Sequence, residues 1–400
     1  MQEERETLAI HGGRPVRQML LPYGHQWIDE DDVEAVVAVL HSDWLTTGPK
    51  VAEFEQAFAN EVGAREAVAV SSGTAALHSA MYALEIGPGD QVIVPAMTFA
   101  ATANCVVFQG GAPVFADIDP GSLLLGPAEA EAKITERTRA IIAVDYAGQA
   151  CDYDALHALA DRYGIALIDD ACHAIGGTYK GRPVGALAKL NTFSLHPVKP
   201  ITTGEGGVVT SDDHELANRM RAFRNHGITS DHRQRANEGS WFYEMIDLGY
   251  NYRLTDFQCA LGISQLRRLS AGVARRQAIA RAYDVALSEV RGVKPLTVRS
   301  DISHAYHLYV VQLELEQLRV DRETIFRALR AEGIGVNVHY IPVYLHSFYR
   351  KQFGTQPGLC PVAESAYERI ISLPIFPRMT DGDVKDVMTA VFKVIEAYRR

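Results

Sequence analysis

The chain is 400 residues long, enough for more than one domain around a large buried core. It carries 49 acidic against 39 basic side chains, a net charge of -10. That excludes a general binder of nucleic-acid backbones but leaves room for a local basic pocket around a small phosphorylated molecule.

The five cysteines, Cys105, Cys151, Cys172, Cys259 and Cys360, are scattered and form no CxxC pair. Neither a disulfide framework nor a metal site is expected, and a reduced, cytoplasmic setting fits. Residues 1–17 are charged rather than apolar, and no apolar run is long enough to span a bilayer. Neither a signal peptide nor a membrane partner is expected.

After an N-terminal arm (residues 1–28), the pattern predicts a helix over Asp29–Leu40, where Val33, Val36, Val37 and Leu40 recur at helical spacing behind acidic capping residues. A second helix is expected over Lys50–Glu61. Short apolar strands then alternate with helices: Ala67–Val70, Gln91–Val94, Pro113–Ala116, Ala140–Val144, Ile165–Ile168, Thr192–Ser194 and Gly207–Thr210. Buried strands separated by helices predict an α/β fold, with a mostly parallel sheet covered on both faces, over residues 29–263. The polar stretch 228–243 reads as a mobile loop.

From about residue 264 the texture changes, and a smaller α+β domain is expected over 264–400. It opens with one long helix, Ser264–Val290, whose Arg267, Arg268, Arg275, Arg276 and Arg281 read as a solvated face. A strand near His307–Leu315, a helix over Asp321–Glu332, a strand near Val336–Tyr340 and two closing helices follow.

The chemistry-bearing residues fall at strand ends. Lys199 lies between a short apolar strand and the glycine-rich Gly204, Gly206 and Gly207, in a loop stiffened by Pro197 and Pro200. Asp169 and Asp170 end another strand, where neighbours point to opposite faces, so one of them can reach a ligand. A lysine amine and a strand-end carboxylate are two parts of a pyridoxal phosphate (PLP) site: the amine holds the cofactor, and the carboxylate keeps its pyridine nitrogen protonated. Ser71-Ser72-Gly73-Thr74 joins a strand to a helix start and could bind a phosphate or simply cap the helix. Phe99 follows a strand and could stack on a ring or fill the core. His173 is a ring contact or a structural hydrogen-bond partner, and Ser194 offers a further hydroxyl. The cluster Gly249–Thr255 precedes a helix, and its Asn251 and Arg253 could meet a phosphate or serve an ordinary helix start.

Together the blocks Ser72–Leu77, Thr98–Asn104, Asp169–Ala174, Ser194–Gly207 and Gly249–Gln258 resemble the DegT/DnrJ/EryC1/StrS family of PLP-dependent sugar aminotransferases. The resemblance runs from about Leu45 to the C-terminus. It implies fold-type I architecture, as in aspartate aminotransferase, and a homodimer with shared active sites. It casts Lys199 and Asp170 as catalytic, with Gly73, Thr74, Phe99, His173 and Ser194 on the cofactor and Asn251 reaching the partner subunit's phosphate site. Relatives with histidine in place of the lysine act as dehydratases, so Lys199 implies transamination.

Within the family, Val144–Gly148, Lys199–Thr203, His307–Tyr309 and Val338–Tyr344 resemble the branch that serves pseudaminic acid synthesis. That implies L-glutamate (leaving as 2-oxoglutarate) and a UDP-linked 4-keto sugar as substrates, with Tyr146, Arg253, Tyr309, His339 and Tyr344 on the substrate side.

Overall fold

The computed structural model of the chain describes residues 7–230, 235 and 239–400, so the expected 228–243 loop lies in part outside the described residues. Seven strands form the main sheet: β1 (Glu66–Val70), β2 (Gln91–Pro95), β3 (Ala112–Ala116), β4 (Thr138–Val144), β5 (Ala166–Asp170), β6 (Leu190–Ser194) and β7 (Gly207–Ser211). Their spatial order is β1-β7-β6-β5-β4-β2-β3. Only β7 runs against its neighbours, so the sheet is mixed but mostly parallel, as expected. The strands are near-continuous apolar runs because helices cover both faces. One covering helix, α3 (Gly73–Ala83), is so rich in alanine that it packs closely on the sheet and is buried almost all round.

Helix α1 (Glu30–Leu40) begins at Asp29 with a capping box to Asp32, and α2 (Pro49–Val62) follows. The face that α1 turns inward is not the valine stripe. Asp32 and Val39 are buried, while Val33, Val37 and Leu40 are 45%, 43% and 56% exposed. Asp32 is drawn in by Arg268 and Gln265, which donate to its carboxylate at 2.5 and 2.7 Å.

A second hydrophobic core lies between a three-stranded antiparallel sheet (Val293–Pro295, Tyr309–Leu313, Ile370–Leu373) and the helices Leu269–Leu287, Arg322–Ala331 and Asp381–Tyr398. Three expectations fail here. The single long basic helix is two, Asp256–Leu266 and Leu269–Leu287, broken at Arg267 and Arg268. Val336–Tyr340 is extended but forms no strand, since only Asn337 bridges to Ser372. Arg276 is not on a solvated face. It is buried, and its Nη1 donates to the carbonyls of Tyr306, His307 and Ile375 at 3.1, 3.4 and 2.9 Å.

Those three carbonyls belong to loops rather than ladders, so Arg276 is their shared donor. Arg276→Ala would leave them and a void, and should cost about 3 kcal/mol. A urea titration checks this as a lower midpoint at unchanged slope.

Candidate active site

Open α/β sheets collect ligands beyond the carboxyl ends of their parallel strands. Here β1, β2, β5 and β6 each run out toward one cavity of about 560 Å³. β1 leads into Ser72, Gly73 and Thr74, and β2 into Thr98 and Phe99. β5 ends on Asp170 with Cys172 and His173 just beyond, and β6 leads through Ser194 to Lys199. The opposite wall is Tyr23 from the arm with His307, Asn337, Val338, His339 and Tyr340.

The turn after β1 is an anion cradle. The Ser72 hydroxyl caps α3 by accepting from the Ala75 amide at 3.0 Å. The amides of Gly73 and Thr74 head the helix, ahead of its first intrahelical bond, at the positive end of its dipole. Glycine is required at two points. A Cβ on Gly73 would stand 2.8 Å from the Ser194 Cβ, and one on Gly207 would stand 2.2 Å from the Ser72 carbonyl oxygen. Ser72, Gly73, Ser194 and β7 are thus packed to a spacing that only bare backbone allows.

Asp170 faces the cavity and Asp169 faces the other side of the sheet. Asp170 is buried, and its Oδ2 accepts from the Thr102 hydroxyl at 2.7 Å, which is itself 2.7 Å from the Thr98 hydroxyl. The Cys172 amide approaches its other oxygen at 3.3 Å. Asp169 is fully buried beside Asp145, and neither of its carboxyl oxygens has a hydrogen-bonding partner at normal distance among the described residues. Burial, reinforced by Asp145, raises its carboxyl well above the ordinary range.

Desolvation lowers the Lys199 ammonium below the ordinary lysine value, with Cys172 and Asp170 opposing the shift. Burial first and Lys199 next keep His173, His307 and His339 neutral at physiological pH, with His339 lowered to about 4. His173 is anchored at both nitrogens: Nδ1 accepts from the Ala147 amide at 3.3 Å, and Nε2 meets the Tyr340 hydroxyl at 3.1 Å. Phe99, 58% exposed, leaves its ring open on the cavity, 5.9 Å from the Tyr340 ring.

Other residues singled out in the sequence lie elsewhere. Tyr146 is one layer behind the wall, with its hydroxyl donating to the His339 carbonyl. Tyr309 and Tyr344 do not line this cavity. Tyr309 sits in the second core and donates to Asp284 at 2.5 Å. Tyr344 is buried against Phe115, with its hydroxyl on Glu364. Asn251 is exposed, and Arg253 donates to Asn225 at 2.8 Å beside a separate pocket, so one chain brings neither to Lys199. Tyr23, Thr102, His307, Asn337 and Tyr340 line the cavity as well. Thr102, His307 and Tyr340 lie inside the motif blocks, but no local signal in the sequence gives them a role, and the arm that carries Tyr23 has no periodic pattern.

Residues 26–392 match the DegT/DnrJ/EryC1/StrS aminotransferase family. The chain belongs to this family. It is 43% identical over 382 residues to the spore coat polysaccharide biosynthesis protein SpsC of Bacillus subtilis, covering 95% of this chain and 98% of SpsC. Among solved structures it is similar to PseC of Helicobacter pylori, an aminotransferase involved in the biosynthesis of pseudaminic acid, with TM-score 0.88 and 31% identity, covering 95% of this chain and all of that one. The PLP form of the sugar aminotransferase Spr1654 from Streptococcus pneumoniae matches with TM-score 0.87 and 33% identity, covering 94% of this chain and 99% of that one.

The chain is therefore a PLP-dependent sugar aminotransferase with the fold-type I architecture. The residues present fit the cofactor. A desolvated amine, a buried carboxylate, a helix-start anion cradle and the exposed ring of Phe99 share one cavity. When bound, the cofactor supplies an electron sink for the carbanion at the substrate carbon.

Asp170→Asn should lower the amino-transfer rate by about 100-fold or more, because the carboxylate that answers a positive ring nitrogen is gone. Asp169→Asn should change the rate less than about threefold, since its side chain faces away from the cavity and an amide is close to it in shape. Single-turnover rates of both variants with L-glutamate decide between the two acids.

Proposed function

We propose that the chain moves an amino group from L-glutamate to C4 of UDP-2-acetamido-2,6-dideoxy-β-L-arabino-hex-4-ulose, giving UDP-4-amino-4,6-dideoxy-N-acetyl-β-L-altrosamine for pseudaminic acid synthesis in the cytoplasm. The observation that carries the reaction class is the convergence of Lys199 and Asp170 in one cavity with the Gly73–Thr74 cradle. The likeness to PseC supports the sugar.

In this reading Lys199 is the covalent anchor. Once displaced, its amine, kept nearer neutrality by desolvation, takes the α-proton of glutamate as general base. It later delivers a proton to C4 of the keto sugar. Asp170 holds the positive ring nitrogen, with Thr102 and Thr98 fixing the carboxylate. Phe99 would offer its exposed face to the ring, and His173 would lie beside it. Gly73, Thr74 and Ser194 take the phosphate. The half-reactions share one site, so 2-oxoglutarate leaves before the sugar nucleotide binds.

A homodimer completes the site in this reading, with Asn251 and Arg253 reaching into the partner's cavity. The exposed stripe Val33, Val37 and Leu40 on one face of α1 supports an interface, because neighbouring apolar side chains favour a covered state. One second reading has support of its own. SpsC is more similar in sequence than PseC is, which favours a 4-keto or 3-keto sugar nucleotide destined for a surface polysaccharide.

The substrate is tested by offering both C5 epimers of the UDP-4-keto sugar and a dTDP-linked 4-keto sugar. The expected result is a kcat/KM for the L-arabino epimer at least about tenfold above the others. Preference for the D-xylo epimer or the dTDP sugar moves the enzyme to the second reading.

Shared sites are tested by mixing Lys199→Ala with Asn251→Ala protein under subunit exchange. One hybrid site then carries both lesions and the other neither. We expect recovery of about a quarter of wild-type activity, from half-intact hybrids forming half of a random mixture. No recovery despite proven exchange would mean that each site is built from one chain.

A further inference from the structure

The arm reaches the cavity through an unusual anchor. Glu332, which caps the C-terminal end of helix Arg322–Ala331, is fully buried. Its Oε1 accepts from the Ala9 amide at 2.8 Å, and its Oε2 accepts from the Val16 amide at 3.0 Å and from Lys393 Nζ at 3.1 Å. Lys393 in turn donates to the Arg14 carbonyl at 2.9 Å. An anion at a helix C-terminus opposes the helix dipole, and a buried ion pair gives little net stability. What this pair does give is register: its bonds fix Ala9, Arg14 and Val16 at one place.

The chain beyond them follows as a series of backbone bonds. The Arg17 amide donates to the Glu332 carbonyl at 3.0 Å, the Leu21 amide to Gly333 at 2.9 Å, and the Gly335 amide back to Leu21 at 2.7 Å. The Ile375 amide then holds the Tyr23 carbonyl at 3.0 Å. This run ends with the Tyr23 ring in the cavity wall, 5.3 Å from the His339 ring, and with Gly24 against Val198, the neighbour of Lys199. Burial raises the Tyr23 phenol, partly offset by a hydrogen bond from Asn337. It remains a protonated hydroxyl on a residue of the cavity wall, able to donate to or accept from a substrate hydroxyl or carbonyl.

We propose that Glu332 is a positioning residue: paired with Lys393, it clasps the arm and thereby sets Tyr23 as a substrate-facing group of the Lys199 cavity. The substrate side of this inference rests on the sugar aminotransferase reading above.

The test uses the PLP-loaded dimer or monomer as purified. Hydrogen–deuterium exchange over residues 9–24 should quicken by about tenfold or more in Glu332→Gln. In the same variant the KM for the UDP-4-keto sugar should rise about three- to tenfold, the worth of one hydrogen bond, while the single-turnover rate with L-glutamate stays within about twofold. Tyr23→Phe should raise the same KM to a similar extent.

Unchanged exchange in Glu332→Gln, or faster exchange with an unchanged KM, overturns the proposal. So does a Tyr23→Phe variant with wild-type KM. If Glu332→Gln does not fold, Arg17→Ala, which cuts the tether of the middle of the arm to Asp383 and Asp386, is read in the same way. If the wild type reacts with L-glutamate but with no sugar nucleotide, the sugar reading fails, and the clasp then stands or falls on exchange at residues 21–24 alone.

Discussion

A carboxylate buried at the end of a central strand is the constraint around which this molecule is arranged. Asp170 lies where water cannot solvate it, and a buried anion is costly unless donors and a positive charge answer it. Thr102 supplies the donor, held in turn by Thr98, so two hydroxyls from the end of β2 serve an acid on β5. The lysine that completes the pair sits in the same cavity, with its own charge discouraged by desolvation. Asp170 partly offsets the desolvation of Lys199, and a protonated pyridine nitrogen, when bound, would supply the positive charge that the Asp170 carboxylate favours. The parallel sheet matters because it delivers these groups from separate strands to one rim with fixed spacing.

The phosphate end of the site is governed by space rather than by charge. Gly73 and Gly207 stand where any Cβ would meet Ser194 or the Ser72 carbonyl. The antiparallel β7 therefore lies directly under the turn after β1 and holds the helix-start amides open toward the cavity. The absence of side chains at these two positions is what lets a backbone cradle form. A hydroxyl-rich turn without them would be an ordinary helix cap.

The far wall obeys a different logic. His307, Asn337, His339 and Tyr340 come from irregular segments, and Tyr23 from the arm, whose Leu8, Val16 and Leu21 lie on the second core while Tyr23 and Tyr340 pack against the first. Their positions depend on buried polar anchors: Arg276 gathering three loop carbonyls, and Glu332 with Lys393 gathering the arm. Breaking such an anchor is costly because it strands its buried partners, and an intact one gives loops a single conformation where packing alone would allow several. The cofactor wall rests on strands and the facing wall on these anchors, a division that suits a site receiving two different substrates in turn.

The sequence by itself determined the mostly parallel sheet and the cofactor side of the cavity. Motifs such as Ser72-Gly73-Thr74, Asp169-Asp170 and Ser194 to Lys199 each sit within a few residues of a strand end, so local order already implies their shared rim. Strand alternation even separates Asp170 from Asp169, because neighbours on a strand must face opposite ways. Tertiary structure alone decided the rest. Helical spacing marks Val33, Val37 and Leu40 as one face of α1, but periodicity has no information about which neighbour covers a face, and Asp32 turned inward instead because Arg268 and Gln265 lie there. Arg276 looked like a solvated arginine for the same reason: its partners are carbonyls far away in sequence, which leave no mark on the local pattern. Tyr309 and Tyr344 lie in motif blocks without lining the cavity, His307 lies in such a block and does line it, and Tyr23 lies in none, because the direction of these side chains is set by long-range contacts and not by the residues beside them.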